Sequence, residues 1–282
     1  MEAASAPRYT IRLDPRQAAL IAALLALAVV GWLVTDDRMA GMDEGPGTDL
    51  GSLGFYVTAW VVMMAAMMFP SIVPMVTVYQ RVQRTRQSQG RGLAGATPLF
   101  VAGYIACWTA FGLVAYGLFA FVSSLDIDAL SWDEAGPYLA GGVLVAAAIY
   151  QLTPLKDACL SRCRGPLAFL MGSWRNGRAG ALRMGVEHGA WCVGCCWALM
   201  ASLFALGIMS VGWMIFVAAL IAIEKLLPWK ALANRTVALT LLVLGLAVAF
   251  TPESVPGLTI PTDAGGMQMM PGDGQMMMPG GG

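Results

Sequence analysis

The sequence predicts an all-α, polytopic helical membrane protein with about seven transmembrane helices. Two observations carry that prediction. Hydrophobic residues make up 58% of the 282-residue chain and charged residues only 12%, about half the ~25% charged residues usual in soluble domains. Apolar runs long enough to cross a hydrocarbon core of about 30 Å then recur along the chain, separated by connections of alternating charge sign. The net charge is zero, and no stretch interleaves basic with aromatic residues, so nucleic acid is excluded as a partner. No Walker A motif occurs, so the chain by itself has no equipment for ATP-driven pumping.

Residues 1–16 are short and polar and read as a cytoplasmic N-terminus. The run 17–34 is too long for a signal-peptide core and lacks a small-residue cleavage site, so it reads as a retained first span. An acidic loop follows at 35–52. The second span, about 53–79, contains MMAAMMFPSIVPM. Its Pro70 and Pro74 lack backbone donors and are expected to kink or unwind it. Residues 80–97 are basic. The third span covers about 98–122, an acidic loop follows, and the fourth span covers about 137–154. Residues 155–183 are basic and carry Cys159 and Cys163; the apolar patch Pro166–Met171 is too short to span and is expected at the interface. The fifth span is 184–206 and the sixth about 210–228, joined by so short a turn that they should be antiparallel neighbours. The seventh is 235–251. The helical domain is thus 17–251, and residues 252–282 form a Met/Gly/Pro-rich tail of disordered composition.

With the N-terminus in the cytoplasm, every Lys and Arg except Arg38 falls on the inner side, which the positive-inside rule favours. The C-terminus and its methionines then lie outside, which is the periplasm if the host is a Gram-negative bacterium.

The chemistry concentrates in MGVEHGAWCVGCCWALM, residues 184–200, which holds the only His and three of the six Cys. At about 100° per residue, Met184, His188, Cys192 and Cys195 share one face, with Cys196 at its edge. Gly185 and Gly189 flank that face and let another helix approach closely. A second row, Met64, Met67, Met68, Ser71 and Met75, shares a face of the second span, with Met63 beside it. Such stripes are often simple packing, but paired methionines before a proline also suit a soft ion. The central metal site is expected from Met64, Met68, His188, Cys192 and Cys195, with Met67 and Cys196 adjoining. Cys159 and Cys163, spaced i and i+4 beside Lys156 and Arg162, are expected to form an inner relay site, and Cys107 either to pack or to complete the central site. Cysteines inside apolar segments argue against a disulfide scaffold. Thioethers are neutral soft donors, so copper(I) is favoured over zinc. The tail methionines would exchange metal with an outer partner.

MMAAMMFPSIVPM, YQLTPLKDACLSRCRGP and GVEHGAWCVGCCWALM, followed by the Glu224–Lys225 pair, occur in an order that resembles a bacterial family of metal-binding integral membrane proteins. The resemblance covers about residues 15–250. Some members accompany polyphenol oxidases and act as membrane copper chaperones, which implies copper handling for an exported copper enzyme or a periplasmic copper carrier. A metal chaperone or transporter is therefore expected rather than an enzyme. Two other readings compete. Cys192 and Cys195 have CxxC spacing, and a thiol-disulfide oxidoreductase could pair them with Cys159 and Cys163; a structural subunit would use the sulfurs for packing only. Hydrolysis is disfavoured because the single His has no acid or Ser arrangement beside it. Direction of metal movement and oligomeric state, a homo-oligomer included, stay open at this level.

Overall fold

The computed structural model describes residues 14–42, 45–46, 50–125, 132 and 134–260. The tail methionines and most of the acidic loop residues lie outside the described residues. Among these, nine α-helices follow one another: α1 Pro15–Met39, α2 Leu53–Ser88, α3 Ala96–Ser123, α4 Gly136–Gln151, α5 Pro154–Arg164, α6 Pro166–Ser173, α7 Gly177–Leu206, α8 Val211–Leu226 and α9 Lys230–Phe250. Each of the seven expected apolar runs is helical. The basic segment 155–183, read only as a connection, supplies α5 and α6.

Five helices, α1, α2, α3, α7 and α9, are long and apolar enough to cross a membrane. α4 and α5 together make a sixth candidate, but they are bent by 68° where they meet. α8 has 16 residues, short of a full span by itself. The outward faces carry large apolar side chains such as Leu33, Val114, Leu118 and Phe250. Water solvates such a jacket poorly and acyl chains solvate it well, which points to a membrane protein.

Local signals place the helix starts. The Asp14 side chain accepts from Arg16 N at 3.2 Å ahead of Pro15, and Arg84 pairs with the same carboxylate, tying the start of α1 to the C-terminal part of α2. Ser52 accepts from Phe55 N at 3.3 Å to cap α2. Thr153 caps α5 ahead of Pro154. Side-chain oxygens at these positions satisfy donors that a helix start leaves free, and proline there lacks only a donor the helix does not use. Of the kink or unwinding expected in α2, the unwinding is corrected: the helix runs unbroken through Pro70 and Pro74. Neighbouring hydroxyls fold back onto its backbone, Ser71 Oγ donating to Met68 O at 2.8 Å and Thr77 Oγ1 to Pro74 O at 2.9 Å.

α7 is the central element, packed by α3, α4, α5 and α8. Its glycines decide how close α3 comes. A Cβ on Gly185 would lie 2.0 Å from Phe100 O, and one on Gly103 would lie 2.2 Å from Leu182 O. The two backbones therefore touch, as small residues allow where no hydrophobic difference drives helices together in lipid. α4 and α9 meet in the same way at Gly141 and Gly245. At Gly207, φ is 105°, a conformation open mainly to glycine; there the chain leaves α7 and turns into α8, which packs back on it.

Candidate metal centre

The site is assembled where α7, α5, α3 and α8 converge. Midway along α7, Cys192, Cys195 and Cys196 are buried. α5 brings Cys163 to them, and the sulfurs of Cys163, Cys192 and Cys195 all lie within 4.8 Å of one another. Cys195 Sγ stands 3.6 Å from Cys163 Sγ and 3.3 Å from Cys196 Sγ. All six cysteines are free thiols. Two further side chains close on Cys192. Tyr104 of α3 is hydrogen-bonded to its sulfur at 3.0 Å, and Lys225 of α8 donates to the same sulfur at 3.0 Å.

Lys225 also donates to Ser71 Oγ at 3.2 Å. Ser71 belongs to the methionine face of α2, so the ammonium bridges that face and the thiols. Met63, Met64, Met67, Met68 and Met75 are all buried on α2. His188, one turn before Cys192, is also buried, with Phe100, Tyr104 and Phe169 rings centred 5.9, 5.9 and 5.2 Å away. Its Nδ1 has no hydrogen-bond partner.

α5 reaches this place because its ends are tied to α8 and α9. Lys156 Nζ donates to Glu224 Oε2 at 2.6 Å, with the two side chains 0% and 1% exposed. Gln151 accepts a second bond from the same ammonium. At the other end of α5, Arg164 donates to Glu224 O at 2.9 Å and to Leu227 O. Asn234 of α9 donates to Asp157 Oδ1 at 3.0 Å. Breaking such a buried pair leaves a bare charge in an apolar interior, so the pair holds α5 and α8 in one relative position.

Several sequence expectations change here. Cys163 joins the α7 thiols rather than a separate pair with Cys159, which instead packs against Gly194, where an added Cβ would come 2.8 Å from its sulfur. The cations expected beside the α5 thiols are engaged elsewhere: Lys156 with Glu224, and Arg162 over the Trp191 ring at 4.7 Å. The cation at the thiols is Lys225, which the sequence placed among the inner charges and in the Glu224–Lys225 pair but not at the metal site. Its place inside the last turn of an apolar helix was the available signal, since ionisable groups at such depth are seldom incidental. Glu187 on α7 accepts from Ser173 Oγ at 2.6 Å.

Two buried sulfurs, Cys192 and Cys195, and the half-buried one of Cys163 suit a soft ion. With a metal–thiolate bond of about 2.3 Å, the value for zinc, sulfurs around a trigonal ion stand about 4.0 Å apart, within the separation seen. Fold and site together define a helical protein of membrane type with a buried thiol cluster. The family model for PpoB2, described as a copper chaperone, matches residues 57–248, and the chain belongs to that family. The match takes in α3 to α8, the methionine row and all six cysteines, and leaves out α1 and the tail. No curated protein and no solved structure matches the chain.

Proposed function

We propose that the chain is a multi-pass protein of the bacterial inner membrane that binds copper(I) and presents it to an exported copper enzyme or a periplasmic copper carrier. One observation carries the reading: Cys163, Cys192 and Cys195, contributed by two helices, converge in a buried site with their sulfurs within 4.8 Å of one another. Thiolates at that spacing select copper(I) over hard cations, and family membership supports copper as the cargo. Lys225 sets a positive charge beside a copper–thiolate group that carries net negative charge, which lowers the cost of holding it at lipid depth. Seven spans, with the N-terminus inside and the domain over 17–251, put the tail of 252–282 outside, where its methionines receive or hand on the ion. Met64, Met67 and Met68 supply neutral thioethers toward that side, and the unpartnered Nδ1 of His188 is a further donor. Cys159 stands near the cluster as an accessory thiol.

The test is the copper content of purified protein against the Cys192→Ser/Cys195→Ser variant. Loss of bound copper in the double variant is the expected result; equal copper per chain in both proteins would overturn the central site. The 3.6 Å approach of Cys163 and Cys195 also suits a thiol-disulfide oxidoreductase. Trapping of thiols in cells separates the two, because persistently reduced cysteines fit copper carriage and a cycling disulfide fits redox exchange.

A further inference from the structure

The thiol group holds more sulfur than one copper(I) ion uses. Copper(I) is a low-coordinate soft ion, and Cys163, Cys192 and Cys195 already complete a trigonal sphere. Cys196 is then left over. It is 1% exposed and lies outside that mutually close set of three, yet its sulfur is 3.3 Å from Cys195 Sγ. Cys195 is therefore the junction, with Cys163 and Cys192 close to it as one group and Cys196 as a further neighbour.

We propose that Cys195 and Cys196 hold a second copper(I) ion, with Cys195 as a bridging thiolate shared between two ions. A thiolate sulfur keeps lone pairs after binding one copper and can donate to another. The charge balance favours the step. As the second ion enters, the S–H bond of Cys196 breaks, a Cu–S bond forms and one proton leaves. A monovalent ion replaces a proton, so the buried group gains no net charge, which is the condition that matters in a medium that solvates ions poorly. No electron moves and no oxidant is required. The adjoining Cys195 and Cys196 at the centre of α7 thus make a two-ion store, and the chain delivers copper in pairs.

The inference rests on the copper-binding reading above, and its test separates the two. Full-length protein is loaded with copper(I) and dialysed against bicinchoninate, which strips weakly held ions such as those on tail methionines. Retained copper is then counted and copper X-ray absorption recorded. The expected result is two ions per wild-type chain with a copper–copper scattering path, and one ion without that path in Cys196→Ser and Cys196→Ala. One ion per wild-type chain with no copper–copper path would overturn the paired site and leave the copper reading standing. No retained copper in wild type would overturn both. Should the Cys196 variants fail to fold, the wild-type count and scattering path decide alone.

Discussion

Glu224→Gln is the most informative single change outside the thiols, because Glu224 and Lys156 form a pair 0–1% exposed at 2.6 Å. Glutamine keeps the shape and one acceptor but removes the charge that balances the ammonium. Removing one partner of a buried pair costs about 3–5 kcal/mol, and the retained acceptor places this substitution near the lower end, roughly a hundredfold in the folding equilibrium. Replacing both partners, as in Lys156→Met/Glu224→Leu, removes the stranded charge and recovers most of that loss, to within about 1.5 kcal/mol of wild type. Reversible unfolding in mixed detergent micelles, followed by tryptophan fluorescence, measures all three. Because the pair sets α5 against α8, Glu224→Gln should also slow oxidative cross-linking of Cys163 to Cys195, which stand 3.6 Å apart in the intact protein. A Glu224→Gln loss under about 1 kcal/mol, or a double variant no more stable than Glu224→Gln, would refute the role given to the pair.

The remaining expectations follow from other contacts. Gly185→Ala would place a Cβ 2.0 Å from Phe100 O, so α3 must move off α7; a loss of about 2 kcal/mol or more in the same unfolding assay is expected, against little change for Gly54→Ala, where an added Cβ meets nothing within 4 Å. Cys163→Ser should weaken copper(I) retention about tenfold or more in competition with bicinchoninate, while Cys159→Ser, outside the three-sulfur group, leaves it nearly unchanged. Lys225→Met should weaken the same retention by at least about tenfold, because opposite charges about 4 Å apart attract by about 4 kcal/mol at an effective dielectric near 20; unchanged retention would show that the ammonium at 3.0 Å from Cys192 Sγ does not balance the bound ion.

Much of the helix layout was legible in the chain because it rests on local quantities. Apolar length placed α1 to α4 and α7 to α9, and Gly185 and Gly189 announced a close neighbour for α7, which proved to be α3. The α7 thiol face was equally readable from a 100° periodicity. α5 and α6 were not read, since a charged 11-residue helix and an eight-residue one give no spanning signal. The uninterrupted course of α2 through two prolines was also missed, because residue type marks the lost donors but not whether the packed helix keeps its course.

Composition, hydrophobic length and charge order by themselves determined an all-helical, membrane-type chain with a sulfur-rich centre, because each depends on residues near one another in sequence. Which sulfurs meet was decided only by tertiary structure. Cys163 reaches Cys192 and Cys195 because a 68° bend and a buried ion pair turn α5 inward, and Lys225 reaches Cys192 from 33 residues away because α8 folds back on α7. Neither the bend direction nor the partner of a buried charge is encoded in any local periodicity, so the membership of the cluster emerges only when the helices pack.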